Sequence, residues 1–103
     1  MKLSDIFQAI RSSRVRVTAH ARKEAEADRL SLEQIYTTVV RGEIIEDYPN
    51  DTPYPSCLIL GHTLAGKPVH SFWAYNAENQ FAVLITVYRP DPERWIDFRK
   101  RRR

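Results

Sequence analysis

The chain has 103 residues, 43% hydrophobic and 11% aromatic, which is enough apolar material for one compact core and too little for two. Three glycines and six prolines that form no repeat exclude collagen-like, linker-type and disordered chains. The single cysteine, Cys57, excludes an internal disulfide, and the apolar runs, such as the one that includes Val83 to Ile85, are far too short for a membrane-spanning helix. The formal net charge of +3 is unevenly spread. Residues 99–103 read Arg-Lys-Arg-Arg-Arg, and without them 11 basic residues face 13 acidic ones. Arg11 to Lys23 carries five basic residues and no acid, whereas Glu43 to Asp51 carries four acids and no base. The N-terminus lacks the apolar core of a secretory signal. A cytoplasmic protein is therefore expected, with one domain over residues 1–98 and a basic tail over 99–103. The basic tail and stripe suit a polyanionic partner, RNA foremost, and a solvated end is the plain alternative.

Taken in chain order, Ile6, Phe7 and Ile10 fall on one stripe of a helix over Ser4 to Ile10, ended by Ser12-Ser13. Arg14-Val15-Arg16-Val17 alternates as a half-buried strand does, or leads extended into the next helix. Thr18 is placed to cap a helix from Ala19 to about Arg29. Ser31, with Gln34 three residues on, opens a third helix as a capping box, and Leu32, Ile35, Tyr36, Val39 and Val40 give it an amphipathic stripe. Gly42 suits a left-handed position after that helix. The period then changes to two. Strands are expected over Ile44 to Tyr48, Ser56 to His62, Pro68 to Tyr75 and Phe81 to Arg89, joined by short turns as an antiparallel meander. A short last helix capped by Asp91, with Pro92 at its first position, would turn Trp95 and Phe98 inward. The fold class is α+β, with N-terminal helices on one face of a four- to five-stranded antiparallel sheet.

Several ordered pieces, Thr18-Ala19-His20-Ala21-Arg22, Arg29-Leu30-Ser31 and Arg41 to Tyr48, resemble the bacterial family called domain of unknown function 4258. Pro55 to Gly61, Val69-His70 and Ile85 to Pro90 followed by Trp95 agree with it. The resemblance covers roughly residues 14 to 99. It implies kinship with RelE/BrnT-like toxins, small α+β ribonucleases of toxin–antitoxin pairs, and hence a possible antitoxin partner.

Among residues able to carry chemistry, His20 falls in the first turn of the second helix, where the dipole favours a neutral imidazole that can act as base or donor. A structural histidine is the alternative. If the turn through 76–80 pairs Tyr75 with Phe81, His70 falls opposite Thr86, and Tyr88 follows on the same face. A His, a Thr and a Tyr so grouped can position and deprotonate a ribose 2′-hydroxyl. Ordinary strand chemistry is the competing explanation. Arg14, Arg16, Arg22 and Arg89 are the candidates for holding phosphate. His20, His62 and His70 lack metal-ligand spacing, Cys57 lies in an apolar strand, and no nucleotide-cofactor motif occurs, so neither metal nor cofactor is expected. Two functions follow. One is a metal-independent endoribonuclease toxin acting through the 2′-hydroxyl; the other is a non-catalytic module of the same fold that binds nucleic acid or protein. The oligomeric state is not legible.

Overall fold

The change of period at Gly42 divides the fold much as the sequence predicts, with all three helices and one short strand before it and the remaining strands after it. A computed structural model describes residues 1–103. Its elements are α1 (Leu3–Arg11), β1 (Val15–Val17), α2 (Ala19–Ala27), α3 (Leu32–Val40), β2 (Glu43–Tyr48), β3 (Ser56–His62), β4 (Pro68–Asn76), β5 (Phe81–Tyr88), β6 (Trp95–Ile96) and β7 (Lys100–Arg101). The caps read from sequence are formed. Thr18 Oγ1 accepts from the Ala21 N–H at 3.0 Å. Ser31 and Gln34 exchange reciprocal bonds of 3.0 and 2.9 Å, satisfying N–H groups the helix cannot pair itself. Gly42 does not take the left-handed conformation expected of it; Ser13 (φ 56°) and Arg29 (φ 55°) take that conformation after α1 and α2 instead. Glycine is needed at position 42 for a close approach, since a Cβ there would lie 2.8 Å from both Ile59 Cγ2 and the Thr38 carbonyl oxygen.

The five-stranded sheet has the order β1-β5-β4-β3-β2. Strands β2 to β5 form the expected antiparallel meander, but β1 runs parallel to β5, pairing Val15 with Ala82 and Val17 with Leu84. The sheet is therefore mixed, which corrects the antiparallel expectation. Short turns dictate the direction of successive strands only; β1 pairs with a strand far from it in sequence, with α2, α3 and β2 to β4 between, so no turn imposes an antiparallel direction. One face of the sheet carries the core. Ile6 and Ala9 of α1, Ala21 and Ala25 of α2, and Ile35 and Val39 of α3 form one buried cluster with Cys57, Ile59, Val69, Trp73, Leu84 and Val87.

Two bulges decide what reaches the other face. In β5 the register slips between Trp73↔Leu84 and Phe72↔Thr86, leaving Ile85 unpaired. The Thr18 hydroxyl donates to the Ile85 carbonyl at 2.9 Å, so the residue that caps α2 also fixes the bulge. The extra residue changes the side to which every later side chain points. Leu84 and Val87 enter the core, and Thr86 and Tyr88 are carried to the open face. A second slip, between Ile44↔Ile59 and Glu46↔Leu58, does the same in β2 and sends Glu46 and Tyr48 to that face. The expected terminal helix is absent. Residues after Pro90 make a turn and then the β6–β7 hairpin, with Trp95 opposite Arg101 and Ile96 opposite Lys100. The basic run 99–103 thus begins inside a hairpin that lies over the open face. No helix is long and apolar enough to cross a membrane.

Candidate functional site

Cross-strand pairing lines up two rows on the open face. Glu46, Leu58, Phe72 and Thr86 form one; Glu43, Leu60, His70 and Tyr88 form the other. The hairpin covers the second row and leaves the first open. It is clipped to the sheet's edge by Arg99 Nε to Glu43 at 2.7 Å and by Arg101 Nε to Glu46 at 2.8 Å. Its turn holds Asp97 (φ 52°) and Phe98 (φ 59°) successively in the left-handed region, where a bulky aromatic is strained.

His70 lies under this strap with none of its surface exposed. Trp95 stands edge-on to its ring at a centroid distance of 4.4 Å. Its Nε2 is 2.6 Å from the Phe98 carbonyl oxygen, a group that can only accept, so the proton sits on Nε2. Nδ1 is then bare, and at 3.1 Å it accepts from the Tyr88 hydroxyl. Burial is the largest influence on His70 and lowers its pKa, against the opposing pull of the Phe98 carbonyl and of Glu46. The imidazole is neutral at physiological pH. Burial also raises the pKa of the Tyr88 phenol, which keeps its proton. Because that proton points at His70, a Tyr88 oxygen lone pair is left for other partners.

Tyr88 and Thr86 line a cleft of about 750 Å³ together with Glu46, Tyr48, Leu58, Phe72 and Arg101. The hydrogen bond from Arg101 lowers the pKa of Glu46 before all other causes. The same carboxylate accepts from the Tyr48 hydroxyl at 2.8 Å. Tyr48 meets Phe72 edge to face at 6.1 Å, giving the cleft an aromatic wall. The cleft therefore offers a flat apolar surface, one guanidinium, the hydroxyls of Tyr48, Thr86 and Tyr88, and the carboxylates of Glu46, Asp47 and Asp51, the first of them held charged by Arg101.

The residues expected from sequence are partly brought together. Thr86 and Tyr88 reach the cleft, and His70 stands directly behind Tyr88. His70 is paired across the strands with Tyr88 and not with Thr86, because the turn pairs Asn76 with Phe81 and the Ile85 bulge adds one more step. His20 is exposed on α2, on the helical side of the sheet, and does not join them. Arg22 is exposed on the same helix. Arg14 and Arg16 lie at the opposite edge of the sheet, Arg16 over the Phe81 ring at 5.5 Å. Arg89 is anchored by Nε to the Asp28 carbonyl at 3.1 Å and faces a second cleft. Sequence reading missed Glu46, Tyr48 and Arg101. Glu46 and Tyr48, two apart in an alternating strand, carried the signal for the first two; nothing local marked Arg101. No three His, Cys, Asp or Glu side chains gather as a metal-binding group.

The chain belongs to the family described as domain of unknown function (DUF4258), whose model matches residues 17–89. That span contains β2 to β5 entire, with His70, Thr86 and Tyr88, while the strap lies beyond it. No curated protein and no solved structure matches the sequence.

Proposed function

We propose that this DUF4258 protein is a metal-independent endoribonuclease, with single-stranded RNA lying in the open-face cleft. The observation that carries the reading is the Tyr88–His70 hydrogen bond at the wall of a cleft that also holds Thr86, Glu46 and Arg101. The ribose 2′-hydroxyl gives its proton to the Tyr88 oxygen as the Tyr88 proton passes to His70 Nδ1, so the buried histidine is the base and the tyrosine its relay. The 2′-oxygen attacks the adjacent phosphorus, the 5′-oxygen leaves and takes a proton from solvent, and a 2′,3′-cyclic phosphate remains. The imidazolium formed is stabilised by the Phe98 carbonyl and by the nearby Glu46 carboxylate. Arg101 offsets the charge that builds on the phosphate, and Tyr48 and Phe72 give a base a face to stack on. We further propose kinship with RelE/BrnT-like toxins, which would extend the reading to an antitoxin that blocks the cleft.

A second reading is favoured by one fact: His70 has no exposed surface. The same cleft then holds RNA without cutting it.

The test is cleavage of a single-stranded RNA in the presence of a chelator, beside the same strand with 2′-O-methyl riboses. The expected result is cyclic phosphate ends from the first substrate and none from the second. Tyr88→Phe should lose about 10²–10⁴-fold in rate, the usual worth of a positioned proton-transfer group, in a protein that still folds but melts lower. His70 Nδ1 loses its donor, and an unpaired buried acceptor costs roughly 1–3 kcal/mol. Intact RNA after prolonged incubation, with binding retained, would leave the binding module as the function.

A further inference from the structure

On the other side of the strap from the proposed site lies a second cleft, of about 650 Å³, that shares Tyr88 and Arg101 as its wall. Arg89, Arg94, Arg101, Arg102 and Arg103 line it, against only two carboxylates, Asp91 and Glu93. Asp91 Oδ1 is already taken by the Glu93 N–H at 2.9 Å. What sets these arginines apart is how they are held. Arg89 Nε donates to the Asp28 carbonyl at 3.1 Å, and Arg102 Nε donates to the Pro92 carbonyl at 3.1 Å. A carbonyl orients a guanidinium without neutralising it, and the outward Nη donors stay free to meet phosphate in pairs. Arg99 and Arg101, by contrast, are spent on Glu43 and Glu46, so Arg101 shapes the cradle's wall while Arg89, Arg94, Arg102 and Arg103 carry its charge. The basic run is thus divided by structure into a charge-cancelled clip and a charge-retaining cradle.

We infer that this cradle is a phosphate-chain site, which holds the backbone of single-stranded nucleic acid where it leaves the first cleft. The inference rests on the RNA reading for its natural ligand, but its chemistry does not depend on cleavage. Arg94, Arg102 and Arg103 lie beyond the family's matched residues, so the site is an addition carried by the strap. The shared wall at Tyr88 and Arg101 makes the two clefts one path, with a base against Tyr48 and Phe72 and the following phosphates among the arginines.

The experiment measures binding of tripolyphosphate and of a short single-stranded RNA across a salt series. Proteins compared are the wild type, Arg94→Gln/Arg102→Gln, the charge-retaining Arg94→Lys/Arg102→Lys, Arg99→Gln, and Arg14→Gln/Arg16→Gln. The cradle Gln pair is expected to weaken both ligands at least tenfold and to flatten the RNA salt slope by roughly 0.7 for each phosphate no longer neutralised. The Lys pair should keep the slope while losing affinity, since charge without the planar fork remains. Arg99→Gln and the β1 pair should change neither. Retained affinity in the cradle Gln pair, or an equal loss in the β1 pair, would overturn the site in favour of diffuse attraction. Tripolyphosphate that binds but is not displaced by RNA would overturn the backbone assignment. Binding that depends on the cradle in a protein that cuts no RNA sinks the ribonuclease reading and leaves this site standing.

Discussion

The two faces of strand β4 follow opposite rules with alternate residues of one segment. Val69, Ser71 and Trp73 face the helices, and all three are fully buried. The one polar demand among them is met locally, since Trp73 Nε1 donates to Ser71 Oγ at 2.9 Å. His70 and Phe72 point the other way. His70 is as deeply buried, but its cover is a two-stranded strap of a few residues rather than three helices. The helical face is closed by apolar area, which is non-directional and tolerant of detail. The open face is closed by directional bonds, with His70 between Tyr88 and Phe98 and two arginines on two glutamates. A surface held in that way fits a ligand of matching polarity, and its weakest contacts are those a polyanion would compete for.

The largest effect should come from breaking the helical face. Trp73→Ala removes the largest fully buried side chain and should cost about 3–5 kcal/mol. The neighbouring Phe72→Ala, on a partly buried residue lining the cleft, should cost only roughly 1–2 kcal/mol while weakening RNA binding. Denaturant unfolding of the pair, with binding on the same samples, checks both. Equal stability losses would mean that the open face contributes to the core as the other does.

The same contrast explains what could be read from the sequence. The caps at Thr18 and Ser31, the α3 stripe and the strands β3 to β5 depend on local periodicity and local chemistry, and they were legible to within a residue or two. The parallel partner of β1 was not, because no turn links it to β5. The two bulges were not, because nothing in Ile44-Ile45-Glu46 or Leu84-Ile85-Thr86 marks an extra residue; the Ile85 bulge is stabilised by a hydroxyl 67 positions away. Yet the bulges decide which side chains reach the cleft. His70, Thr86 and Tyr88 were legible as a group from strand alternation, whereas the exact pairing of His70 with Tyr88 needed the slip. The terminal hairpin escaped because its left-handed turn uses Asp97 and Phe98 where glycine or asparagine would have signalled it.

A pH series sharpens the comparison next, since two groups of the open face, His70 and Glu46, have pKa values displaced downward by the fold. The His70 pKa is held below its ordinary 6.5, mainly by burial. As pH falls through 6.5 the unfolded chain takes up this proton and the folded chain resists it, so stability is lost on acidification. The Glu46 pKa is held below its ordinary 4.5, mainly by Arg101. Its contribution is present above that value and disappears as pH drops toward the folded pKa. Melting temperature should therefore decline in two stages, His70 first. In His70→Asn the upper stage should vanish and the lower remain. An imidazole that titrates by NMR at or above 6.5 would show that the strap does not seal His70.

The smallest expected effect separates the two clips. Both ends of the Glu43–Arg99 pair are about half exposed, with side-chain exposures of 49% and 54%. Such a pair gains little in high dielectric and loses rotamer freedom, so Glu43→Gln should change stability by about 0–1 kcal/mol. Glu46 is only 19% exposed and accepts from Arg101 through Nε and Nη2 and from Tyr48 besides. Glu46→Gln keeps the shape and removes the charge, and it should cost more than Glu43→Gln while leaving Trp73 unaffected. Fluorescence distinguishes where the loss falls, because Trp95 sits in the strap and Trp73 in the core. With Trp73→Phe as background, Glu46→Gln should shift Trp95 emission to the red as the strap loosens, and Glu43→Gln should leave it where it was. A red shift of equal size in both would mean that the strap is held evenly along its length.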